Sequence, residues 1–141
     1  MNPAMIRPTA IVTLVLLAGT SPAGSVGARA QMPACAGAPT QAELNDCAAQ
    51  EYKKHDTAMN DTYRQLLTKL KDPKQKALLV DSERAWVAYR DRLCAFQSSG
   101  TVGGSIHPLI VNACLDDKTI VNNAELTRQL DCKEGDPSCA H

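Results

Sequence analysis

Aromatic residues are scarce in this 141-residue chain, which holds one tryptophan, one phenylalanine and three tyrosines. A domain so poor in large side chains buries a small core, and covalent staples then matter to its stability. No Cys-x-x-Cys pair occurs, and His55, His107 and His141 fall at unrelated spacings, so no metal site is assigned. Neither sign of charge dominates, with 15 basic and 15 acidic residues, and the basic surface of a nucleic-acid binder is absent. The sequence contains no alternating apolar–polar run of useful length and no internal repeat, which argues against a sheet-built fold. Beyond residue 30, no segment is apolar enough for a membrane-spanning helix, which needs about 20 such residues.

What is present begins with residues 1–30, which read as a secretory signal peptide. Arg7 supplies the positive start, Ala10 to Gly19 is an apolar run too short to span a bilayer, and Ala28-Arg29-Ala30 gives a small-x-small cleavage pattern. The mature chain is expected to start near Gln31. Thr20 stands where a lipid-anchored leader would carry its cysteine, so release into the periplasm or medium is expected rather than anchoring. The leader holds two basic residues and no acidic one, leaving a net charge near −2.

All six cysteines, Cys35, Cys47, Cys94, Cys114, Cys132 and Cys139, lie after the cleavage point. An even number in a short exported chain reads as a disulfide framework. They lie within or beside three amphipathic stretches. The first opens at Thr40-Gln41-Ala42-Glu43, a capping box in which hydroxyl and carboxylate each satisfy a free backbone N–H. Leu44, Ala48, Tyr52, His55, Met59, Tyr63, Leu66 and Leu70 then recur at helical steps. Asp72-Pro73 marks a break and a new helix start, with Gln75 placed to close a second box. The second helix carries Leu78, Leu79, Ser82, Ala85, Trp86, Tyr89, Leu93 and Phe96 on one face, and the tight turn predicts that it runs back antiparallel against the first. Ser98 to Ser105 is the glycine-rich loop of the domain. Ile106 to Leu130 gives a third, less regular helix, interrupted by Asp116, Asp117, Asn122 and Asn123.

The fold class is therefore all-α, a small antiparallel bundle of three helices stapled by disulfides over residues 31–132, with an irregular tail at 133–141. Such packing brings Cys94 and Cys114 together as the preferred pair, with Cys35 and Cys47 pairing by proximity. Exchange of partners among these four stays open, because sequence does not fix connectivity. A Cys132–Cys139 bridge would tie down the tail.

The segment Ala85-Trp86-Val87-Ala88-Tyr89-Arg90-Asp91-Arg92-Leu93-Cys94 resembles the signature of the lysozyme inhibitor LprI family of small bacterial envelope proteins. Thr40 to Cys47 resembles the family's opening motif, and Asp56, Asn60 and Tyr63 match its next spaced set. Gly103-Gly104-Ser105 and Cys114-Leu115 resemble the segment that follows. The chain departs from the family pattern at Asn122 and Asn123, where an arginine is common, and in its Cys132 to Cys139 tail. The resemblance implies an exported helical domain and a protein partner, lysozyme being the named one.

Individual residues also have structural explanations. Trp86, Tyr89 and Phe96 share an apolar stripe and are expected in the core. Arg90 and Asp91 are expected to pair with polar groups of the first helix, such as Asp56 or Asn60, and to set the helix register. Ser105 nearly completes a hydrolase elbow, but the final glycine is missing and no sheet would hold it. It is expected instead to cap the third helix, with His107 in the first turn. Asp116 and Asp117 point about 100° apart on a helix, do not converge on one bond, and are expected on a solvated face. His55 falls on the apolar side of its helix as a boundary histidine. Asn60-Asp61-Thr62 matches a glycosylation sequon inside a helix and carries no weight.

The functional expectation is a non-enzymatic binding protein that blocks a wall-degrading enzyme through Gly103, Gly104, Ser105 and His107. No cofactor is implied. The alternative is a structural or stress-related periplasmic protein that binds another envelope component. A hydrolase ranks last, because no triad, metal cluster or phosphate loop is found.

Overall fold

The computed structural model describes residues 32–133 and 135–140. The expected leader and its cleavage site lie outside the described residues. A 3-10 turn at Pro33–Cys35 precedes three helices, α1 (Gln41–Lys69), α2 (Pro73–Ser98) and α3 (His107–Leu130), with a second 3-10 turn at Ser99–Thr101. No strand occurs among the described residues, so the fold is all-α. No described helix is long and apolar enough to cross a membrane.

Local chemistry sets the helix ends. Thr40 and Glu43 form the reciprocal capping box of α1, with the Glu43 amide donating to Thr40 Oγ1 at 3.2 Å and the Thr40 amide to Glu43 Oε2 at 3.0 Å. At α2, Asp72 accepts from the Lys74 amide at 2.8 Å and Pro73 occupies the first turn. The cap rests on Asp72 alone, without the reciprocal bond expected of Gln75. At α3 the expected Ser105 cap is corrected. Ile106 is the N-cap and no side chain caps it. Pro108 removes one free donor from the first turn, and the His107 amide is satisfied by Gly104 O at 3.1 Å, so a hydroxyl cap has less to do.

Cross-helix bonds give the topology. Asn45, His55, Asn122 and Lys69 link α1 to α3 through the pairs Asn45–Ser105, His55–Asp116, Met59–Asn122 and Lys69–Leu130. Residue numbers rise together along these pairs, so α1 and α3 run parallel, and they share the largest helix–helix interface. The helix between them, α2, is antiparallel to both and lies mainly along α3, with fewer close approaches to α1 than the tight turn led one to expect. The apolar core sits at the α1–α2 turn, where Met59, Leu66, Leu70 and Leu126 are buried and Tyr63, Leu79, Trp86 and Leu130 pack around them. Between α2 and α3 at this end opens a groove of about 490 Å³.

The rotation of α2 corrects the expected core stripe. Trp86 reaches the core, but Tyr89 is 59 % exposed and Phe96 76 % exposed. The inward face is Leu79, Glu83, Trp86, Arg90 and Cys94, at steps of three and four residues. Two constraints choose this face over the more apolar one: the disulfide at Cys94, and the polar partners of Arg90 on α1 and α3.

Candidate functional site

The six cysteines pair as Cys35–Cys47, Cys94–Cys114 and Cys132–Cys139, with Cα–Cα separations of 5.8, 5.6 and 5.6 Å. The first two brace the end of the bundle that carries the glycine loop. Cys94–Cys114 joins the last turns of α2 to the second turn of α3 and so closes the loop at its base. Closure across 20 residues is worth about 3 kcal/mol on the chain-entropy account.

Between these anchors the loop is held by its own bonds. Ser98 Oγ donates to Cys94 O at 2.8 Å, and Thr101 Oγ1 donates to Ser98 O at 2.7 Å. Thr101 Oγ1 also lies 2.9 Å from His107 Nδ1. With the Thr101 hydroxyl hydrogen on Ser98 O, Nδ1 of His107 donates in this contact. The Gly104 amide donates to Thr101 O at 3.0 Å. From α1, Asn45 Nδ2 donates to Ser105 O at 2.9 Å, and Gln41 steadies Asn45 from the next turn at 2.9 Å. Gly103 takes a φ of 81°, a left-handed conformation that favours glycine. A Cβ on Gly104 would stand 3.2 Å from Thr101 O. Gly103 is therefore favoured by the backbone of the turn, and a side chain on Gly104 would make Thr101 O give by a few tenths of an ångström.

The outer surface of this loop is apolar and free. Val102 is 71 % exposed and Ile106 is exposed as well, with Gly103, Gly104 and Ser105 also in solvent. The structure thus brings Gly103, Gly104 and Ser105 to one exposed tip. It turns the His107 ring inward to Thr101, where it ties the loop together. Val102 is the tip residue that sequence reasoning passed over, and Ile106, expected to open the third helix, is its exposed N-cap. The signal at Val102 was its position beside glycine, where an apolar side chain has no helix face to join.

Behind the loop lies a polar node centred on Arg90, which is only 6 % exposed. Its guanidinium sits 5.5 Å from the Tyr52 ring and 5.0 Å from the Trp86 ring, within cation–π range. Nη1 donates to Asp56 Oδ1 at 3.1 Å and to Thr119 Oγ1 at 3.2 Å, and Nε donates to Asp91 Oδ1 at 2.9 Å. One side chain of α2 thereby touches α1 and α3 together. Burial works against the Arg90 charge, but the bonds to Asp91 and Asp56 outweigh it and hold its pKa above the ordinary value. Burial pushes the Tyr52 phenol up; the Arg90 charge pulls it down, and the carboxylates of Asp56 and Asp91 push it up again.

A second polar tie lies nearby. His55 Nδ1 stands 2.6 Å from Asp116 Oδ1, and Asp116 is buried. This corrects the solvated face expected of the Asp116-Asp117 pair: Asp117 is exposed and Asp116 is not. Parallel packing of α1 and α3 turns Asp116 toward His55. In the tail, Cys132, Asp136 and Cys139 place ligand-type atoms within 4.8 Å of one another. The two sulfurs are bonded to each other, and Asp136 accepts from the Ser138 amide and hydroxyl at 2.9 and 2.7 Å. A disulfide offers no thiolate to a cation, so the trio is a turn and not a metal centre.

The fold and its exposed tip define a class: a disulfide-stapled helical domain that presents a stiff loop. Within it, the chain belongs to the lysozyme inhibitor LprI family, whose model, described as "Lysozyme inhibitor LprI", matches residues 32–126. It is also similar to an uncharacterized protein of Rhizobium meliloti (strain 1021), at 30 % identity over an alignment that covers 92 % of this chain and 99 % of the other. No solved structure matches.

Proposed function

We propose that this protein is exported, loses residues 1–30, and binds a wall-degrading enzyme, most concretely a lysozyme, by presenting the loop from Ser99 to Ile106. The observation that carries the reading is the stiffness of an exposed tip: staple, glycine geometry and hydrogen bonds all fix it before any partner arrives. A preorganised element loses little conformational entropy on binding, so its contacts appear as affinity. Val102 and Ile106 supply apolar area, and Ser105 supplies a hydroxyl for the polar lining of a carbohydrate cleft. His107 acts from within by holding Thr101. Membership of the family and the oxidised cysteines support the same reading.

The test is a lysozyme turbidity assay with the oxidised protein. Protection of cell walls at micromolar concentration is expected, and Val102→Asp should reduce it by at least about tenfold while leaving helix content unchanged. No protection by the natural chain would refute lysozyme as the target. Protection that is indifferent to Val102→Asp would refute the loop as the contact.

A further inference from the structure

The rotation that turns Arg90 and Cys94 inward leaves a second face of α2 without a partner. Leu78, Ser82, Ala85, Tyr89 and Phe96 are all exposed and follow one another at steps of three, four or seven residues, one stripe along the helix with the exposed Arg92 between its last two members. Leu78 is 70 % exposed and Phe96 76 %. Aligned apolar side chains of this size mark an interaction surface more often than scattered single ones do.

The two ends of the stripe differ in shape. Its C-terminal end carries a projecting ring, Phe96. Its N-terminal end opens beside Leu78 into the groove of about 490 Å³, whose apolar wall includes Leu66, Leu79 and Leu126. At a rise of about 1.5 Å per residue, knob and hole stand roughly 27 Å apart on one helix. A twofold axis across the middle of that helix brings each knob to the other copy's hole, because an isologous contact pairs residue i with j and j with i. In the register centred near Val87, Leu78 faces Phe96 of the second copy and the small Ala85 faces its Tyr89.

The charges beside the stripe agree with this register. Asp81 flanks its N-terminal half and Arg92 its C-terminal half, on the same edge of the helix; both are exposed, and Asp81 has only a loose pair with Arg84 of its own helix, at 3.9 Å. Antiparallel pairing sets each Asp81 against the Arg92 of the other copy, two opposite-charge contacts from one symmetric arrangement. A parallel pairing makes neither contact, because it sets the two charged edges on opposite sides of the seam.

We propose that the protein self-associates as a symmetric dimer through antiparallel α2 helices, with each Phe96 seated in the groove beside Leu78 of its partner copy. A 26-residue helix is about 39 Å long, and a strip of contact roughly 10 Å wide buries about 400 Å² per copy, near half of a standard interface. The dimer is therefore weak and concentration-dependent. The loop from Ser99 to Ile106 lies beyond the paired segment, so the dimer carries two loops at its opposite ends. This inference does not depend on what the loop binds.

Sedimentation equilibrium of the oxidised protein, from about 1 μM to about 1 mM, tests it. A reversible monomer–dimer equilibrium is expected, and Phe96→Asp should raise the dissociation constant at least about tenfold. Asp81→Arg and Arg92→Asp should each weaken the dimer several-fold, and the two together should restore it, since the pair is only reversed. These side chains are exposed, so helix content by circular dichroism should not change. A protein that stays monomeric at the highest concentration overturns the proposal. So does a dimer that ignores Phe96→Asp, or one that the double charge reversal fails to restore.

Discussion

The two ends of this bundle are held by different forces. At the α1–α2 turn, Met59, Leu66, Leu70 and Leu126 exclude water together, and the cohesion is hydrophobic. At the glycine loop the buried side chains are few and small, Ala48, Cys35 and Cys94 among them, and shape is kept by two disulfides and a chain of directed hydrogen bonds. Apolar contacts are non-directional and tolerate small displacements, whereas bonds of fixed length and angle do not. The soft end therefore stores stability and the stiff end stores shape. Arg90 stands between them, and its burial among two rings, two carboxylates and a hydroxyl joins the three helices at mid-height.

The largest effect is expected at that junction. Arg90→Ala takes one donor from Asp56, the partner from Thr119 and both ring contacts, and leaves a cavity where the side chain stood, at a cost of about 3–4 kcal/mol, readable as a lowered midpoint in urea. If the loss is below about 1 kcal/mol, the helices are not registered by this residue. Next comes Leu66→Ala in the apolar end, which should cost about 3 kcal/mol of global stability while the loop keeps its structure until the whole domain unfolds. Disorder at the loop in this variant under native conditions would erase the distinction between the two ends.

The smallest effect concerns Tyr52. Its pKa is raised in the folded protein above the ordinary value of 10.0, chiefly by burial, so the folded state holds this proton more tightly than the unfolded one. The contribution is complete below pH 10 and is lost as pH rises through the folded value. Alkaline unfolding should accordingly steepen above about pH 10 in the natural protein and become shallower in Tyr52→Phe. Equal slopes for the two proteins would place the phenol in open solvent.

Much of the architecture was legible because it is written in local chemistry. The Thr40–Glu43 capping box, the Asp72-Pro73 start and the glycines that break the chain after Ser98 are short-range signals, and they mark the helices within a residue or two. What was not legible was rotation about a helix axis. Hydrophobic periodicity placed Tyr89 and Phe96 inward because they are the larger apolar residues, but one buried arginine and one disulfide weigh more than two rings that can dock elsewhere. The burial of Asp116 escaped for a related reason. Its partner His55 is distant in sequence, and only the parallel packing of α1 and α3 brings them together. Ser105 illustrates a third limit, since its part in holding the loop passes through its backbone carbonyl, which accepts from Asn45 and which any residue could supply.

Hydrogen exchange, residue by residue, tests the central contrast most directly. The Gly104 and His107 amides, bonded to Thr101 O and Gly104 O, should be protected in the oxidised protein. Replacing both members of the staple, Cys94→Ala with Cys114→Ala, should lower their protection at least about tenfold by local opening, while amides of α1 around Leu66 keep theirs up to the global unfolding limit. Loop amides that stay as protected as those of α1 once the staple is gone, or that exchange freely even with it intact, would contradict the account.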